Sequence, residues 1–335
     1  MQNKTRPHIV VIGAGFGGLR AACGVAKYAA RVTLIDRTNH HTFQPLLYQV
    51  ATAGLSPGEI AAPIRWIVRG DKNIEVLLGE VRDFDLERKV IKLSDMEIGY
   101  DYLVVAAGAT HAYFGHDDWE PFAPGLKSLE DAVEMRRRVL LTFELAERHA
   151  ANGEGQMQLN FVVVGGGPTG VELAGTLAEI THKVLAHEFH SIDPKRTRII
   201  LLEGGPRVLP AFAEDMSQSA QKQLERLGVE VHTSALVTRI EPGAVYMGEK
   251  RMPTAVTLWA AGVAASPLGK KLGAPVDRAG RVLVWPDLSI PGHPEVFVIG
   301  DLAALKGDVR PCPLDQDQNA VAEADQKENV NEQPC

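Results

Sequence analysis

The sequence predicts an α/β protein that builds one dinucleotide-binding device twice. Three observations point there. The stretch IVVIGAGFGGLRAA runs from Ile9 to Ala22, and FVVVGGGPTGVELAG repeats its grammar from Phe161 to Gly175. After each, a second apolar run stops at an acid: RVTLID at Asp36 and RTRIILLE at Glu203. A buried strand, a Gly-x-Gly-x-x-Gly turn, a small-residue helix and a second strand ending in an acid make a Rossmann-like unit. A protein with one dinucleotide needs one such unit, so two imply two cofactors and traffic between them.

In the first unit His8–Ile12 reads as a strand, 13–18 as the turn, 18–30 as the helix and Arg31–Asp36 as the next strand. Gly13 makes the turn, Gly15 admits a pyrophosphate, and Gly18 lets helix pack on strand. Asp36 is placed to accept from an adenosine ribose. In the second unit Gly165, Gly167 and Gly170 take the same roles, with a helix from Val171 that THKVLAHEFHSIDPK lengthens and Glu203 as the ribose acid. The charge of Glu203 opposes a 2′-phosphate, which favours NADH over NADPH, although Arg207 stands nearby. Glu172 reads two ways: as a first-turn carboxylate complementing the helix dipole, or as an acid facing the reacting rings.

Between the copies lie YDYLVVAAGAT and a helical stretch from Leu129. After the second copy come PTAVTLWAAGVAAS and PEVFVIGDLA. Their Ala-Gly and Gly-Asp turns let backbone approach a ligand at the carboxyl end of a strand, and Asp301 supplies a carboxylate there. From Lys306 the chain turns polar and acidic, the composition of a disordered tail.

Composition narrows the function. The 335 residues hold 35 Lys and Arg against 42 Asp and Glu, a net charge of -7, so no basic footprint for nucleic acid exists. No run approaches the roughly 20 apolar residues of a spanning helix, which leaves peripheral attachment as the membrane option. Cys23, Cys312 and Cys335 form no C-x-x-C. His182, His187 and His190, offset by five and eight, do not share a helical face, and no metal is expected.

The order VVIGAGFGG, TLIDR, NHHTFQPLLYQVATAGLSPGEIAAPIR, AAGAT, VVVGGGPTGVELAG, LLEGGPRVLP, WAAGV and VFVIGDLA resembles the type II NADH dehydrogenases, the non-pumping NADH:quinone oxidoreductases. The likeness runs from about His8 to about Ala304, and Asn39 to Arg65 is its most specific part. It implies a glutathione-reductase-type architecture in which an NADH domain (113–264) is inserted in a FAD domain (1–112 and 265–305), followed by a disordered tail (306–335). It implies that Gly13, Gly15, Gly18, Asp36, Arg37, Gly108, Thr110 and Asp301 contact FAD. Gly165, Gly167, Gly170, Glu203, Ala261 and Gly262 would contact NADH, with Glu172 beside the reacting rings. A hydride would pass from nicotinamide to flavin and electrons on to a quinone or another small acceptor. The missing C-x-x-C argues against disulfide reductases.

The resemblance also implies residence at the cytoplasmic face of the cell membrane and leaves a homodimer open. The family's C-terminal quinone-site helix and membrane anchor are not recognisable after Ala304, so the sequence reads as altered near Gly307, with a soluble chain and impaired activity as expectations. A redox-linked NADH- and FAD-binding signalling module is the alternative from another class.

Overall fold

The computed structural model describes residues 6–305. The tail 306–335, expected to be disordered, lies outside the described residues. The described residues divide into two compact units, one formed by 6–35, 73–107 and 267–305, the other by 36–72 and 108–266. The stretch 36–72, which the sequence reading groups with the first glycine loop, clusters with the second unit.

The first unit is built on a six-stranded sheet in the order Ser289–Ile290, His293–Val298, Tyr102–Val105, His8–Ile12, Arg31–Asp36, Ile74–Leu78. The central strand His8–Ile12 runs parallel to Arg31–Asp36, with Ile12 opposite Ile35, and parallel to Tyr102–Val105, with Val11 opposite Val104. Both strands of the first glycine unit fall where the apolar runs place them. The helix spans Phe16–Val25 and not 18–30, because Gly15 already serves as its N-cap.

The second unit carries a four-stranded parallel sheet in the order Val229–His232, Arg198–Leu202, Asn160–Val164, Val256–Trp259. Every residue of Asn160–Val164 is buried, as expected of a parallel strand covered on both faces. Alternation decides which face each residue serves. Phe161, Val163, Ile199 and Leu201 pack with Phe143, Leu173 and Leu177 of the helices, whereas Val162, Val164, Ile200 and Leu202 pack with Tyr113, Trp119 and Trp259.

Helix Leu129–Ala151 begins at a capping box, in which the Asp131 N–H donates to the Ser128 hydroxyl at 3.1 Å and the Ser128 N–H donates to the Asp131 carboxylate at 2.8 Å. Its stripe of Met135, Val139, Phe143 and Ala146 is fully buried or nearly so, the i, i+4, i+8, i+11 pattern of a core-facing helix.

The helix after the second glycine loop starts at Pro168, before the expected Val171, and stops at Glu179. The stretch read as its extension forms a π-helical turn at Ile180–Val184 and two short 3-10 turns. The physical cause is tertiary. His182, inside the π turn, sets its two ring nitrogens 3.2 Å from the carbonyls of Leu227 and Thr197, and a neutral ring donates to one of them.

Candidate dinucleotide sites

The two glycine turns are built alike. Gly13 and Gly165 have φ of +94° and +109°, in the left-handed region that favours glycine. A Cβ on Gly13 would strike the Ala106 carbonyl, and one on Gly165 would meet Ala260 and Ala261 backbone at 2.5–2.6 Å. Gly18 and Gly170 pack even closer, because a Cβ on either would lie inside the carbonyl oxygen of Gly13 or Gly165 respectively. These four glycines are therefore required by the fold.

Gly15 and Gly167 are not. Each is a helix N-cap in extended backbone that any residue adopts (φ -70° and -72°), and a Cβ on either would meet no atom within 4 Å. Neither helix has a side-chain cap or an acid in its first turn. Glycine at these positions keeps open the space at a helix N-terminus, where the backbone N–H groups and the helix dipole favour an anion, and that fits a pyrophosphate. The residues present thus fit a dinucleotide at each turn.

The acids at the strand ends also act on the loops. The Asp36 carboxylate accepts from the Thr38 N–H at 2.7 Å and the Thr38 hydroxyl at 2.8 Å. Glu203 accepts from the Gly166 N–H at 2.5 Å and the Gly205 N–H at 2.6 Å, so its two oxygens bridge the glycine turn and its own loop. Gly166 escaped the sequence reading, which weighed only the Gly-x-Gly-x-x-Gly positions. A Cβ there would crowd the Glu203 carboxylate at 2.9 Å, and the middle glycine of the Gly-Gly-Gly run was the available signal. Arg207 is turned into its own loop, donating to the Pro210 carbonyl at 2.8 Å and the Phe212 carbonyl at 2.9 Å.

Glu172 is the fifth residue of its helix, and no acid stands in the first turn. The dipole-complementing reading fails on that position. Its side chain is exposed, yet desolvation holds the carboxyl above the ordinary range.

Gly108, Thr110, Ala261 and Gly262 all lie in the second unit. Strand Ala109–His111 pairs antiparallel with Val263–Ala265, placing Thr110 opposite Ala264. A Cβ on Gly262 would strike the Ala112 carbonyl and crowd the Phe114 ring. His111 meets Asp131 at 3.1 Å. Burial pushes that carboxyl up, but bonds from His111 and from the Lys127 and Ser128 N–H groups outweigh it and leave it below its usual range. In the first unit, Asp301 sits exposed in the 3-10 turn Gly300–Leu302, after a Gly300 with φ of +71°. Arg37 is exposed beyond the strand end.

Two such glycine units in one chain define the pyridine nucleotide-disulphide oxidoreductase class, whose family model matches residues 7–324. That match reaches past Ala304, where the sequence reading ended the resemblance. The chain is 48% identical over 316 residues to the type II NADH:quinone oxidoreductase NdhA of Mycobacterium tuberculosis, which takes in 90% of this chain and 67% of that protein. Identity to the type II NADH:quinone oxidoreductase Ndh of the same organism is 45% over 320 residues, with 91% and 69% covered. NDH2 from Plasmodium falciparum, solved in complex with NADH, matches with a TM-score of 0.81 at 26% identity, over 96% of this chain and 68% of that one. The chain belongs to the pyridine nucleotide-disulphide oxidoreductases and, within them, to the type II NADH:quinone oxidoreductase family.

Proposed function

We propose that the protein oxidises NADH, holding FAD at the first glycine loop and NADH at the second, and passes the electrons to a quinone. The observation that carries this reading is the pair of open N-caps, Gly15 and Gly167, each heading a helix with no side-chain cap bond and with free space where a Cβ would stand. When bound, FAD supplies the two-electron acceptance from nicotinamide and the delivery to the acceptor.

The chain's residues bind and orient. At the first loop Gly13, Gly15 and Gly18 shape the pyrophosphate cradle, Asp36 faces the ribose, and Arg37, Gly108, Thr110 and Asp301 complete the FAD contacts. At the second, Gly165, Gly167 and Gly170 repeat the cradle, Glu203 selects an unphosphorylated ribose, and Ala261 and Gly262 line the nicotinamide end, with Glu172 beside the rings. Two observations support NADH over NADPH. The Glu203 carboxylate is fixed by two backbone N–H groups, and the Arg207 guanidinium is spent on carbonyls of its own loop. In this reading the FAD domain comprises 1–112 and 265–305 and the NADH domain 113–264. Residence at the cytoplasmic face of the cell membrane accompanies this reading. No described helix is long and apolar enough to cross a membrane.

The test is one anaerobic cuvette. Protein purified with added FAD is mixed with NADH and then with a short-chain quinone while flavin absorbance is followed. Bleaching by NADH and recovery with quinone is the expected result. Flavin that never binds, or never bleaches, refutes the assignment of the loops.

A further inference from the structure

Phe114 combines three features that a solvent-facing phenylalanine has no packing reason to combine. It is 70% exposed. Its φ is +54°, in the left-handed region that β-carbon-bearing residues avoid. Its ring nonetheless lies against Gly262, close enough that a Cβ there would meet the ring carbons at 2.8–3.0 Å, and it stands edge-on to Trp259 at 6.3 Å.

The segment bearing it is anchored firmly. The Ala112 N–H donates to the Gly262 carbonyl at 3.2 Å, the Trp259 indole N–H donates to the Ala112 carbonyl at 3.0 Å, and Tyr113 stacks on Trp259 at 5.1 Å. Strained backbone held by such anchors marks a position kept for its side chain.

Sheet order says which half of a dinucleotide that side chain meets. Strand Asn160–Val164, which feeds the glycine turn, lies between Arg198–Leu202, ending at Glu203, and Val256–Trp259, ending at Ala260–Gly262. A ligand with its pyrophosphate at Gly167 and its adenosine at Glu203 sends its other half toward Gly262.

We infer that Phe114 is a positioning residue whose exposed ring forms the apolar wall for the nicotinamide half of the NADH molecule. The inference rests on the proposed NADH site. Glycine at 262 leaves room for the ring, and the left-handed turn at 114 aims it.

The experiment titrates FAD-loaded full-length protein with NAD⁺ and, separately, ADP-ribose, which lacks the nicotinamide. Phe114→Gly removes the ring and suits the left-handed backbone, so its melting temperature should match or exceed that of the wild type. NAD⁺ affinity should fall about three- to tenfold, the worth of one aromatic contact, with ADP-ribose affinity unchanged. Phe114→Trp should retain NAD⁺ affinity; should the glycine variant not fold, Phe114→Ala is read in its place. Equal loss for both ligands, or loss for neither, overturns the role of Phe114 while leaving the NADH site standing. A wild type that binds neither ligand overturns the site and the inference together.

Discussion

Gly167→Ala and Gly170→Ala, three residues apart on one loop, should fail in opposite ways. At Gly167 the backbone is one alanine adopts and the Cβ meets nothing within 4 Å. The unfolded chain loses freedom, worth about 0.4–1 kcal/mol in favour of the variant, and a comparable amount is lost because alanine caps helices less well than glycine. The unliganded protein should therefore keep its stability within about 1 kcal/mol. Its methyl occupies the cradle, however. Each charge-assisted hydrogen bond lost to the pyrophosphate costs about 1.5–3 kcal/mol, so NADH should bind on the order of ten- to a hundredfold more weakly. At Gly170 the methyl would overlap the Gly165 carbonyl oxygen, and forcing helix from strand costs about 1–3 kcal/mol or more with or without ligand. Thermal melts of unliganded protein and NAD⁺ titrations, run on both variants, separate the two. A Gly167→Ala protein that binds within twofold of wild type would refute the claim that the open cradle is the ligand's place.

Three further outcomes concern carboxylates of the second unit. Glu203→Gln offers one acceptor and one donor to two backbone N–H groups, so chemical denaturation should show a loss of about 1–3 kcal/mol, accompanied by weaker NADH binding. The Glu172 carboxyl is raised by desolvation, so its stability contribution is present at low pH and lost as pH rises through its folded value. Glu172→Gln should therefore hold or raise the melting temperature at neutral pH while slowing flavin reduction by NADH in stopped flow. Glu134 runs the other way, since hydrogen bonds from Arg137 and Arg138 hold its carboxyl down to about 2 from 4.5. Its contribution is complete above 4.5 and lost as pH falls toward 2. Glu134→Gln should flatten that stretch of a pH–stability curve, by no more than about 1 kcal/mol because the pair is partly exposed.

The architecture was legible because its signals are local. A strand such as Asn160–Val164 announces itself by continuous burial-prone residues, and a turn such as Gly165-x-Gly167-x-x-Gly170 by glycines at fixed spacing, of which the first and third admit no side chain. The long helix starts at Leu129 where the sequence places it, and the Ser128 and Asp131 capping box that fixes that start is seen in the structure. What escaped depends on partners far along the chain. Nothing near His182 foretells that its ring will reach the carbonyls of Leu227 and Thr197 from within a π turn. Phe114 escaped for the same reason, since its significance comes from Gly262, distant in sequence and brought alongside by the pairing of Ala109–His111 with Val263–Ala265.

The three glycines of each motif divide by physical cause, and that division carries the functional argument further than the motif alone. The first and third are fixed by backbone geometry and by contact with a carbonyl, so they would be needed in a turn that bound nothing. Only the second is free of both constraints, and it is free in both copies. Helix stability alone favours Ser, Thr, Asp or Asn at an N-cap over glycine by up to a few tenths of a kcal/mol, and neither copy carries one. Each loop therefore forgoes a self-made cap at the one position where a cap would compete with a bound phosphate, and that coincidence is the physical reason to regard both loops as working binding sites.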